Sequence, residues 1–394
     1  MSVIRPSRPF VFCCALLCLI ALSLLGSATV VAQTQPGTPT LPLQAPGLAL
    51  TSTEYYIAQV VDERPARTAV AALLVPGAQP NQPAVLRQVE LQGGTLAALR
   101  QFVAQSLPRN GGRRPLTLRV QECRLTETLT PGQPKYADGN LTLRLVLDWQ
   151  REGETVVLTE YWGAARYRRA LWQTGAAEPA LRQGLAEGLR YLHSWVVTQA
   201  PTSLKLATGL RLRFTDYRDQ TEPDTVFYDP ARPLTWADFT AAPRPGPHAA
   251  AVFPSFAYAG QPRVVNGILQ LDMRLKVFVV RSSSWVSAAA RGAYDLNHEQ
   301  RHFDLVKLVA ERFKRRLTPT RMTLKDYDSI LQYEYLMAFQ EMNRVQEQYD
   351  GETQHGINEA EQERWNQRIE AELSQYGVAR RTETLAPLAP RLPK

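Results

Sequence analysis

At 394 residues, with 44% apolar and 21% charged side chains, the chain has the make-up of a folded protein long enough for two domains, not of a disordered or fibrous one. Its formal charge of +8 is scattered along the chain, mostly as Arg, with clusters no longer than Arg113-Arg114 and Lys314-Arg315-Arg316. No basic stripe interleaves with aromatics, so a nucleic-acid surface is excluded and a solvated basic surface is the reading.

Arg5 and Arg8 precede an apolar run from Phe10 to Leu25, and the small residues of Gly26–Ala32 follow it. That order is a secretory signal, assigned to residues 1–32 with cleavage after Ala32. The run nearly reaches membrane-spanning length, so a retained anchor is the alternative. Cys13, Cys14 and Cys18 leave with the signal, and Cys123 alone remains. One cysteine allows neither an internal disulfide nor a cysteine zinc cluster. Lying in an alternating apolar run, it reads as a buried structural thiol. Residues 33–50, rich in Pro, Thr and Gln, read as a linker, with order beginning near Thr51.

Residues 51–200 read as a small α+β domain without a catalytic constellation. Strands are expected at Tyr55 to Val61, Leu116 to Leu125, Leu141 to Trp149 and Thr155 to Tyr161. The last two are joined by a hairpin-type turn at Arg151–Glu154. Helices are expected over Thr95 to Leu107 and Glu178 to Val197, with His193 packed near the apolar face of the second. Pro201-Thr202-Ser203 marks a boundary, and residues 201–377 form a second domain. It opens on a strand at Leu210 to Phe214 and continues with two strands over Val264 to Val280, turning near Asn266-Gly267 or Gln270. Three helices follow: about Asp295 to Leu317, Thr323 to Gln348 and Asn358 to Tyr376, the last closed by Gly377. Strands and helices run in blocks, so the fold class is α+β. The tail, residues 378–394, reads as disordered.

The chemistry lies in His298-Glu299-Gln300-Arg301-His302. On a helix the two imidazoles stand one turn apart on one face and can both reach one Zn²⁺. Glu299 lies about 100° round the helix, so it is placed to take the proton of a water rather than to bind the metal. Phe303, Val306, Ala310, Phe313 and Leu317 continue the helical period.

A catalytic zinc needs a third protein ligand. The metzincin continuation is absent, since Leu305 and Leu308 stand where its Gly and His would be. Glu334 or Glu341 on the following helix would serve as in gluzincins, and His248 in the Pro-rich loop is a weaker choice. The segment Tyr349–Gly356, read as a turn after a long helix, offers the preferred ligand, His355. Asp350 is expected to orient a ligand imidazole from outside the metal, and Tyr349 to stabilise an oxyanion.

The segments Arg232–Phe239 (RPLTWADF), Asn297–Asp304 (NHEQRHFD) and Tyr349–Gly356 (YDGETQHG), with Gln362 and Trp365, resemble a bacterial family of predicted secreted zinc-dependent proteases, long catalogued as a domain of unknown function. The resemblance spans about Tyr228 to Leu373. It implies a zincin-like fold for the second domain and marks His298, Glu299, His302 and the Tyr349–Gly356 segment as its site. The expectation is therefore an exported, secreted or periplasmic, zinc peptidase. Its substrate would be a protein or peptide, cell-wall peptides included. The alternative is a non-catalytic envelope binding or scaffold protein with a structural or vestigial zinc site.

Overall fold

The computed structural model describes residues 40–378, apart from 68, 80, 81, 110–112, 174, 247 and 289. The signal expected of residues 1–32 and the tail from residue 379 lie outside the described residues. Within the span, residues from Thr40 onward fold around two hydrophobic cores, one running from Leu41 to Leu206 in sequence and the other from Ala207 to Val378. The result is mixed α+β. Among the described residues no helix is long and apolar enough to cross a membrane.

The first core is built on a seven-stranded sheet. Its strands in chain order are β1 (Thr40–Leu41), β2 (Tyr55–Asp62), β3 (Ala71–Val75), β4 (Val85–Leu91), β5 (Arg114–Thr130), β6 (Gln133–Arg151) and β7 (Glu154–Ala170). The last three form an antiparallel meander whose strands run 17, 19 and 17 residues. They extend well beyond the apolar stretches that announced them, because their outer halves are polar yet still laddered. The turn after Arg151 is a two-residue hairpin with Glu152 and Gly153 at positive φ, the backbone such a turn requires. Helix α1 (Thr95–Ser106) lies near β2, and α2 (Ala177–Gln199) packs on β6 and β7. At Gly184 a Cβ would stand 2.7 Å from Leu141 Cδ2, so the close helix–sheet approach depends on that glycine. The stretch read as linker is ordered from Thr40: β1 pairs with β4, and Leu50 N donates to Ser106 O. Cys123 is buried in this core, where burial pushes its thiol up to about 12 and keeps it protonated.

The second core surrounds one long strand, β13 (Ile268–Val280). The remaining strands are β8 (Gly209–Asp216), β9 (Thr225–Phe227), β10 (Ala250–Ala251), β11 (Pro254–Ala259), β12 (Arg263–Val265), β13 (Ile268–Val280) and β14 (Trp285–Val286). Its 13 residues alternate inward and outward, and β8, β9, β11 and β12 all pair with it. The β12–β13 turn uses Asn266 and Gly267 at positive φ, as the Asn-Gly pair suggested. Helix α3 (Ala293–Arg316) packs against β11 and β13, and α4 (Tyr327–Thr353) and α5 (Glu359–Gln375) pack on α3. Helix α3 is thereby sandwiched between a sheet and two helices, and every residue from His298 to Glu311 is buried.

So polar a helix stays buried because its polar groups are partnered. Arg301 donates to Asp304 (3.1 Å) and to Asn366 (2.8 Å) and pairs with Glu370. Lys307 is shared by Asp216 and Glu311, each 2.7 Å away. The apolar anchor is Phe313, fully buried against Phe214, Phe256, Tyr258 and Tyr335. Phe313→Ala is expected to cost about 3–5 kcal/mol by opening a cavity under α3, read as a lower midpoint in chemical denaturation with an unchanged slope.

Candidate metal centre

The sequence places two imidazoles and a carboxylate on consecutive turns of α3, and burial decides where each points. His298 and His302 are 7% and 8% exposed, with ring centroids 5.1 Å apart. Their Nε2 atoms converge on one carboxylate oxygen, Asp350 Oδ1, at 3.3 Å for His298 and 3.0 Å for His302. Ligand atoms of the three residues all lie within 4.8 Å of one another. Donors held at zinc bond lengths around a tetrahedral ion stand about 3.3 Å apart. Two imidazoles and a carboxylate at this spacing therefore fit a divalent ion of the zinc type, with no side chain moving far.

Helix α4 brings Asp350 there. The sequence suggested that the helix ends near Gln348 and that Tyr349–Gly356 is a turn. The helix instead runs on to Thr353, and only Gln354, His355 and Gly356 adopt positive φ, at 51°, 52° and 84°. Asp350 thus projects from a regular helical turn onto the α3 imidazoles, while His355 lies past the left-handed reversal. Of the two, it is Asp350 whose ligand atom stands with those of His298 and His302, the third place expected of His355. His355 is half exposed and its Nδ1 is 3.6 Å from Asp350 Oδ1. The alternatives Glu334 and Glu341 are taken up elsewhere: Glu334 pairs with Arg316, and Glu341 with Arg312 and Arg316.

Tyr349 is likewise placed differently from expectation. It is fully buried behind the site, its ring stacked on His298 at 4.8 Å, and its hydroxyl lies 2.6 Å from Gln362 Nε2. Burial pushes the phenol well above its ordinary range. No part of it reaches the surface, and its ring forms a wall against His298. Gln362 completes that wall. Its Oε1 is 2.8 Å from His298 Nδ1, an acceptor that lets this nitrogen carry a proton while Nε2 faces Asp350. Sequence reasoning gave Gln362 no role, although its place in the resembling segments was the available signal. Gly356 fits the same wall, since a Cβ there would stand 3.3 Å from His298 Cγ and Nδ1.

Glu299 is 5% exposed, and its Oε2 accepts the Val252 amide at 2.8 Å, just past β10. Burial pushes its carboxyl above the usual range, with His302, His298 and the Val252 amide acting in the opposite sense. For Asp350 burial acts upward, yet the hydrogen bonds from His298 and His302 outweigh it and hold the carboxyl well below its usual range. His298 is raised: burial acts downward, and the Asp350 and Gln362 hydrogen bonds prevail.

The resembling segments meet around this centre. Leu234 N donates to Gln300 Oε1 at 2.7 Å, and Tyr228 donates to Asp304 at 3.0 Å. Thr235 and Asp238 form a reciprocal cap that holds the Arg232–Phe239 segment in shape. Trp365 Nε1 donates to Glu352 at 2.8 Å, locking α5 to the end of α4.

No family model matches the chain, and no curated protein matches it. Among solved structures, a Xanthomonas campestris protein of the DUF330 family is 11% identical over 41% of this chain and 97% of its own, with a TM-score of 0.26. An uncharacterized protein is 14% identical over 41% of this chain and 99% of its own, with a TM-score of 0.23. Neither likeness bears on the metal centre.

Two changes test the wall. Gln362→Leu removes the acceptor on His298 Nδ1 and is expected to weaken zinc binding about 10–100-fold. Gly356→Val drives a branched side chain into the His298 ring at a positive-φ position and is expected to weaken it at least as much. Competition against a chromophoric chelator measures both.

Proposed function

We propose that the protein is an exported zinc-dependent peptidase whose metal is held by His298, His302 and Asp350 and whose general base is Glu299. The observation that carries the reading is the convergence of three ligand atoms within 4.8 Å beside a buried glutamate, on the helix that bears the HExxH spacing. The signal-like residues 1–32 support export, and the resemblance of three segments to predicted secreted zinc proteases supports peptide hydrolysis in a zincin-like domain.

Zinc, when bound, supplies a Lewis acid that lowers the pKa of water and polarises a carbonyl. The chain's own residues do the rest. Glu299, fixed by the Val252 amide, takes a proton from the attacking water as its oxygen adds to the peptide carbon. When the carbon–nitrogen bond breaks, Glu299 returns that proton to the departing amine, leaving a carboxylic acid and an amine. Gln362 and Tyr349 hold His298 in the tautomer that keeps Nε2 unprotonated. Strand β10 pairs with β14 along one edge and, among the described residues, has no strand on the other. That edge suits an extended peptide bound through its main chain.

The full chain is expected to take up about one zinc, as a three-ligand catalytic site would. His298→Ala and Asp350→Ala should lose it, whereas His355→Ala and Glu299→Gln should keep it. Glu299→Gln should lower casein cleavage at least about a hundredfold. Zinc uptake without hydrolysis of casein or a broad peptide library would leave the scaffold reading; no zinc uptake would sink both.

A further inference from the structure

Four of the chain's five histidines meet at one place; the fifth, His193, is bonded to the Tyr55 hydroxyl in the first core. Beside His298 and His302, the ring of His248 lies 4.4 Å from that of His355 in an edge-on contact. His248 lies in the Pro- and Gly-rich segment that precedes β10, and His355 is the middle residue of the reversal that follows α4. Both are exposed. His355 Nδ1 lies 3.6 Å from Asp350 Oδ1, and among the described residues neither imidazole makes a hydrogen bond.

His355 is held in that position. Two non-glycine residues in succession, Gln354 and His355, carry positive φ, a conformation that L-residues avoid. The reversal persists because it is tied down: His355 N donates to Asp350 O (2.9 Å), Asn358 N to Thr353 O (2.8 Å), and Tyr294 Oη to Gly356 O (2.6 Å). Backbone strain that its surroundings enforce is a mark of functional sites. Here the strain sets an imidazole over the carboxylate of the proposed centre. The short run from His248 to Val252 joins the imidazole pair to the amide that fixes Glu299.

We infer that His248 and His355 are substrate contacts, whose ring N–H groups donate to the oxygen of the group seated beside His298, His302 and Asp350. This rests on the zinc reading above. The ligand class it selects is one with a partly or fully anionic oxygen, such as a polarised peptide carbonyl or a hydroxamate. The role expected of Tyr349, stabilising an oxyanion, passes to this exposed pair.

Cobalt(II)-loaded full chain titrated with acetohydroxamate, followed through the visible cobalt bands, tests it without any turnover. His248→Ala and His355→Ala should each weaken hydroxamate binding about tenfold, the worth of one hydrogen bond to a charged group, with cobalt content unchanged. His355→Asn tolerates the left-handed backbone and keeps an N–H donor, so it should stay within about threefold of the parent. Binding within about twofold of the parent in both alanine variants would overturn the inference. So would loss of cobalt in His355→Ala, which would make His355 a ligand. A parent chain that takes up no cobalt would instead overturn the metal reading itself, and this inference with it.

Discussion

The structure turns on one constraint: helix α3 is buried on all sides while carrying two histidines, two glutamates, an arginine, a lysine and an aspartate between His298 and Glu311. Burial of such groups is tolerated only when each has a partner. Those partners come from every element that packs on the helix, from Leu234 and Tyr228 on one side to Gln362, Asn366 and Asp350 on the other. The second core is therefore assembled around a polar axis, and the directions of the HExxH side chains follow from that assembly. A helix exposed on one face would leave its imidazoles free to rotate; this one does not.

The same constraint explains the division of labour at the centre. His298 is fixed three times over, by Gln362 at Nδ1, by stacking on Tyr349, and by the close backbone of Gly356. Asp350 is drawn toward both imidazoles and stays ionised. Glu299, a residue away on the helix, is turned to a different partner, the Val252 amide. The two carboxylates thus differ in environment, Asp350 held below its usual range and Glu299 above it, as the proposed division into ligand and base requires.

Much of this was legible in the sequence. The α3 periodicity, the one-turn spacing of the imidazoles and the Asn-Gly turn before β13 are local patterns, and each appears where its chemistry puts it. The placing of Asp350 beside the two imidazoles was not legible, because it hangs on where α4 ends. The polar segment from Tyr349 reads as a turn, yet the helix continues through it to Thr353 and reverses at Gln354. Strands β3 and β4 were missed for another reason. Val85–Leu91 is mostly exposed and lacks a clean alternation, with Val85 and Leu86 both facing out, and it is held as a strand by pairing with Ala71–Val75. Gln362 was quoted only as part of a resemblance, since nothing about a lone glutamine on a helix says that a histidine 64 positions away needs an acceptor.

The claim on which the rest depends is that two imidazoles and one carboxylate, Asp350, hold the metal. X-ray absorption at the zinc edge of the zinc-loaded full chain reads this directly, because outer-shell scattering counts imidazole rings. The account predicts two rings and light oxygen donors at about 2.0–2.1 Å. A spectrum that requires three rings would return the third position to His355 or His248 and contradict it.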